Sequence, residues 1–161
     1  MGLFGKKQNG LPHHAVVYVR RDGKRVVVVT QHSNGGIWCE DDQAVVLDGP
    51  PEQTKLADAM RSALQTTTEI VRDLRKLNKT DWPAFKASKA SSVQKFESEY
   101  VRVDVTGDSE ANEGYVVTGW PDYPTTDGEL AVTASISAHA SDDEFGDLLV
   151  RVYEACRDRQ L

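Results

Sequence analysis

Residues 14–29 read His14-Ala-Val-Val-Tyr-Val-Arg-Arg-Asp-Gly-Lys-Arg-Val-Val-Val-Val29. In an extended chain Ala15, Val17 and Val19 fall on one side, and Val16 and Tyr18 on the other. Asp22-Gly23 supplies the two positive-φ positions of a type I′ turn, so the stretch predicts a tight antiparallel hairpin. The valine run Val26–Val29 has no polar face. It predicts a strand covered on both sides, hence one inside a sheet.

Outward from this hairpin, Ser33-Asn34-Gly35-Gly36 is a turn cluster. Ile37–Glu40 then reads as a third strand, Asp41-Asp42 as its turn, and Ala44–Leu47 as a fourth strand. Asp48-Gly49-Pro50-Pro51 stops the strands and opens a helix, since proline is tolerated in a first helical turn. Leu56, Met60, Leu64, Thr67, Val71, Leu74 and Leu77 recur at spacings of three and four. That stripe predicts one amphipathic helix stopping near Asn78, although Thr66-Thr67-Thr68 has poor helix propensity.

Two short helical pieces are expected over 79–96, one at Trp82–Phe85 and one opened by a Ser91–Gln94 capping box. Val101, Val103 and Val105 alternate with polar residues, a period of two. Gly107–Glu113 reads as a hairpin loop, Tyr115–Val117 as the return strand, and Leu130–Ile136 as a further half-exposed strand. Ser141-Asp142-Asp143-Glu144 is a capping box, and Phe145, Leu148, Leu149, Val152, Tyr153 and Cys156 form the stripe of a closing helix. The order predicts a single α+β domain over residues 1–161, with 1–12 as a loose arm. Its mainly antiparallel sheet would have six to seven strands, with two amphipathic helices packed on one face. The alternating later strands predict that their other face meets water.

The chain has 161 residues, 39% hydrophobic and 27% charged, with mean hydropathy -0.48. No window approaches the roughly 18 apolar residues of a membrane span. The net charge of -6 argues against direct nucleic-acid binding. That charge is unevenly spread. Residues 1–40 hold six Lys+Arg against two Asp+Glu, residues 41–96 nine against eight, and residues 97–161 four against fifteen. Cys39 and Cys156 stand far apart without a CxxC pattern, which reads as a reducing, cytoplasmic setting. The first residues lack the apolar stretch of a signal peptide, and Lys6 breaks the myristoylation pattern.

Catalytic and metal patterns give no positive signal. His13 and His14 are adjacent and point to opposite faces of a strand, while His32 and His139 stand alone, so no metal site is predicted. Cys39 could pair with His13, His14 or His32 as a thiol–imidazole nucleophile, which leaves a small cysteine-dependent hydrolase as an alternative. The same thiol also reads as a buried strand cysteine beside Trp38. Asn34-Gly35-Gly36 lacks the helix and the Lys-Ser/Thr of a phosphate loop, and no cofactor is predicted. What remains is a recognition surface. Acids gather at Glu40, Asp41 and Asp42, at Asp108, Glu110 and Glu113, and at Asp122, with Trp38, Trp120 and Tyr123 beside them. Aromatic anchors ringed by charge predict an interface for a basic partner. A non-catalytic scaffold or oligomerisation module, pairing through exposed strand edges, is the other alternative, and the oligomeric state stays open.

The opening MGLFGKKQNG, the hairpin VVYVRRDGKRVVVV and the segment WPAFKASKASSVQKFE resemble a family of bacterial immunity proteins from contact-dependent growth inhibition systems. The resemblance implies a cytoplasmic, non-enzymatic protein. It would bind the toxic C-terminal domain of the cognate effector, often a basic nuclease. The family shares no fixed set of functional residues, so no residue role is carried over from it. The acidic final third is of the sign such a partner would require.

Overall fold

The computed structural model describes residues 10–107, 113–121 and 131–158. The element order is β1 (His13–Arg20), β2 (Arg25–Asn34), β3 (Ile37–Asp48), α1 (Gln53–Gln65), α2 (Pro83–Ser88), α3 (Val93–Glu99), β4 (Tyr100–Gly107), β5 (Gly114–Trp120), β6 (Val132–Ser137) and α4 (Asp142–Arg157). Two 3-10 turns, Leu74–Lys76 and Lys79–Asp81, lie between α1 and α2. The six strands form one antiparallel sheet in the order β3-β2-β1-β4-β5-β6. This is the expected α+β fold, with α1 and α4 packed together on one face.

The Asp22-Gly23 hairpin forms, but not by the expected turn. Only Gly23 has positive φ; its N–H bonds Arg20 O at 2.8 Å, and the Asp22 carboxylate caps Lys24 N. A glycine in the left-handed region after a turn of ordinary φ closes the strands just as well. Positive φ at two successive residues occurs instead at Gly35-Gly36, between β2 and β3. Val26–Val29 is buried on both faces, as its composition predicts.

Both sheet faces carry a core. On the first, Ala15, Val17, Val19, Val26, Val28, Val101, Val103, Val105 and Val117 meet Leu56, Met60 and Leu64 of α1 and Phe145, Leu149 and Val152 of α4. On the second, Val16, Tyr18, Val27 and Val29 lie under Ala84, Phe96 and Tyr100. The 79–96 region is thus a lid over one half of the second face. Among the described residues no element covers the other half, over β4 to β6, where Val116, Thr133 and Ser135 are exposed as expected.

Four expectations are corrected. β3 is one strand, not two; Asp41-Asp42-Gln43 forms an irregularity within it, where the pairing steps from Val29↔Ala44 to Gln31↔Glu40. The helix does not run to Asn78. It ends at Gln65, and Val71 and Leu77 of the expected stripe are exposed. Thr66 turns its hydroxyl onto Ala63 O, and Thr67 spends its hydroxyl on the His14 main chain. Such bonds compete with helix, and the chain then runs extended beside β2, through Ser33 N–Thr68 O and Ile70 N–Ser33 O bonds. Ser92 rather than Ser91 caps α3, accepting from Lys95 N. Finally, both prolines precede α1, whose N-cap is Glu52. The Ser141 capping box on α4 forms as expected.

Candidate functional site

The informative region lies on the second face, where the lid stops and the open half begins. Glu40 sits at this boundary on the lid side of β3, the side it shares with Ala44 and Val46 beyond the irregularity. It is 9% exposed. Tyr18 Oη donates to Glu40 Oε1 at 2.7 Å, and Ala84 N, in the first turn of α2, donates to Oε2 at 2.9 Å. The Trp82 side chain adds a third hydrogen bond. Burial pushes the Glu40 pKa up, and these three bonds only partly pull it back. One acid therefore ties the edge of the sheet to the start of its lid.

Next to it, on the same face, Asp104 collects four bonds. Arg102 grips it with Nε and Nη2 at 2.8 and 2.7 Å, Trp120 Nε1 donates at 2.8 Å, and His14 Nε2 lies at 3.1 Å. Burial alone would raise the Asp104 pKa; the His14 and Arg102 bonds outweigh it and hold it below the ordinary aspartate range. Trp38 closes the group, its ring edge-on to His14 at 4.8 Å.

Between β3, the 3-10 turns and α3 lies an open recess of about 390 Å³. Tyr18, Trp38, Trp82, Glu40, Glu97 and Arg102 are among its lining residues. That volume is within the range of small-ligand pockets, roughly 300–1,000 Å³. Around it the molecule leaves apolar side chains in water. Trp38 and Leu77 line the recess, Ile37 is 57% exposed, and Val71 adjoins Arg72, whose main chain is clamped by the Asn34 side chain. Among the described residues no group of three or more His, Cys, Asp or Glu side chains is gathered as a metal would need. No helix among them is long and apolar enough to cross a membrane.

The chain shares its fold with a bacterial protein. The Neisseria meningitidis protein NMB0488, itself described as of unknown function, superposes with a TM-score of 0.71 over 95% of this chain and 99% of that one. At 13% identity the likeness shows the fold alone. No family model and no curated protein matches the sequence.

The predicted acidic surface is not assembled as expected. Glu40 is an interior group, not a loop acid. Asp41 pairs with His32 at 2.7 Å and Asp42 with Arg72 at 2.8 Å, so both are tied to their own fold. Burial acts to raise Asp41, yet its His32 bond holds the pKa lowered. Glu113 is exposed and faces His139 at 2.8 Å. Trp120 is committed to Asp104. Asp108, Glu110, Asp122 and Tyr123 lie outside the described residues.

Cys39 is half-exposed rather than buried, and no imidazole stands beside it in a hydrogen bond; its Sγ approaches Ile37 O at 3.9 Å. His32, its partner across the ladder, has both ring nitrogens engaged, with Asp41 and with Thr68 N. His13 turns to Leu64 O on the opposite face from His14, as adjacency on a strand requires. The residues missed by sequence reading were Arg102 and Asp104; His14, weighed there as a partner for Cys39, is bound to Asp104 instead. One signal was present: Arg102 and Asp104 are the polar phase of a strand whose other phase is all valine.

Proposed function

We propose that this chain is an immunity protein. It binds the toxic C-terminal domain of a cognate contact-dependent growth inhibition effector, a basic nuclease domain, and neutralises it in the cytoplasm by occupying its surface. The observation that carries this reading is the exposure of Ile37, Trp38, Val71 and Leu77 at one end of the molecule, where Trp38 and Leu77 line a preformed recess. Large apolar groups exposed together beside a concave site are the make-up of an interface hot spot.

The resemblance carried by MGLFGKKQNG, the valine hairpin and the Trp82–Glu97 segment supplies the class of partner. The acidic final third supplies the sign of its charge. Fifteen acids against four bases create a field that steers a basic domain toward the molecule and disfavours acidic competitors. The apolar end then supplies the short-range contacts, where burial rather than Coulomb attraction holds the complex.

The test is co-expression with the toxin domain encoded beside this chain, followed by calorimetry. A stoichiometric complex that abolishes toxin activity is expected. Ile37→Asp, an exposed change, should weaken that complex roughly tenfold or more, the scale of a hot-spot residue. Failure of the wild-type chain to bind or protect would refute the reading.

A further inference from the structure

The recess has a chemical bias of its own. Assigning its occupant to the toxin rests on the toxin-binding proposal, and the two are separable by experiment. Its interior combines a buried carboxylate with aromatic rings. Glu40 accepts from Tyr18 Oη, Ala84 N and the Trp82 side chain. A carboxylate offers about four acceptor positions, so three donors leave one available. All three of these donors are neutral. Glu97 of α3 lines the same recess, and among the described residues it has no hydrogen-bonding or ionic partner.

The cations that line the recess are largely committed. Arg102 is engaged by Asp104, and Arg72 reaches Asp42 and Glu40 O. Lys79 is exposed on the rim. Asp81 is held by Lys86 and by Asn78 N. Two acids with acceptor positions to spare thus share the recess with the solvated Lys79 and with Arg102, whose charge also acts on Glu40. Tyr18, Trp38 and Trp82 supply ring surface, and the fold already sets the Arg102 guanidinium 6.0 Å from the centroid of Tyr18. Aromatic faces with carboxylates attract a cation, and a flat guanidinium both stacks on rings and bridges two acids.

We propose that the recess receives one arginine side chain from the toxin, its guanidinium shared by Glu40 and Glu97 and its stem covered by Trp38. Lysine, a compact and strongly hydrated charge without a planar fork, would fit this arrangement less well.

The experiment has two arms. In the first, N-acetyl-arginine amide and its uncharged isostere N-acetyl-citrulline amide are titrated into the free protein, and the indole N–H resonances of Trp38 and Trp82 are followed. Saturable shifts with the arginine amide are expected, with citrulline weaker by roughly tenfold, as loss of one charge-assisted contact implies. Glu97→Gln, on the recess side of α3, should lose most of that preference. Unmoved indole signals, or an equal response to citrulline, would overturn the arginine site. In the second arm, toxin affinity is compared for wild type, Trp38→Ala and Glu97→Gln. Undiminished toxin binding in both variants would overturn the arginine contact while leaving the immunity reading standing. A chain that binds the arginine amide but no toxin would overturn the immunity reading and keep the site.

Discussion

The Thr67 hydroxyl closes both main-chain groups of His14, accepting from its N–H and donating to its carbonyl, each at 3.0 Å. β1 and β2 pair from Val19↔Val26 to Ala15↔Thr30, and beyond that point the 66–70 segment takes over hydrogen bonding to β2. A single side chain thus substitutes for a missing strand partner. Thr67→Val keeps the shape and removes the hydroxyl, leaving two main-chain groups short of a partner. A loss of about 1–3 kcal/mol is expected by denaturant titration, with faster amide exchange at His14. Thr67→Ser should stay near wild type; equal loss in both variants would mean that the methyl, not the hydroxyl, matters.

Asp104 gives the molecule an acid sensitivity. Its folded pKa is lowered despite burial, so its contribution is present above the ordinary aspartate value of 3.8 and is lost as pH falls through the lowered folded value. Asp104→Asn should cost about 2–4 kcal/mol at neutral pH, less than a fully buried pair because Arg102 reaches solvent. The variant should also show a flatter stability profile on the acid side. A profile parallel to wild type would remove Asp104 from the acid response.

At Gly119 of β5 an added Cβ would meet Cys156 Sγ at 2.5 Å and Val152 Cγ1 at 2.7 Å. Gly119→Ala should therefore destabilise by about 1–3 kcal/mol through overpacking. In a Cys156→Ala background the same change should cost less, since one of the two obstructing atoms is gone. Additive losses in that double-mutant cycle would contradict the contact.

Glu40 and Tyr18 can be separated by a graded series. Glu40→Ala strands the Tyr18 hydroxyl and Ala84 N–H, for an expected loss of about 2–4 kcal/mol. Glu40→Gln can keep the Ala84 bond through its amide oxygen while Tyr18 turns to accept, so about 1 kcal/mol is expected, as for Tyr18→Phe. Melting temperatures in any other order would show that Glu40 does not anchor the lid.

How much of the fold was readable in advance depends on the range of each interaction. Val26–Val29 declares its burial on both faces, and Val101, Val103 and Val105 declare one face, because a strand repeats every two residues whatever lies far away. Ser141 with Glu144 declares the start of α4 for the same reason: both partners of the capping box are three residues apart. The Leu56–Leu77 stripe misled because helical spacing is necessary for an amphipathic helix but does not guarantee one. Thr66-Thr67-Thr68 marked where it would break, but not what would take its place.

The sequence by itself determined the sheet, its two-sided first strands, its one-sided later strands and the two helices that cover a common face. These rest on periodicity, capping and turn residues, all local. Tertiary structure decided which polar residues leave the surface. Thr67 reaches His14 across 53 positions, Glu40 reaches Ala84 across 44, and Asp104 reaches His14 across 90. An acid in a sequence carries the same charge at a loop tip and in a core. Only the arrival of distant donors makes its burial tolerable, and that arrival turned Glu40 from an expected surface contact into the floor of the recess.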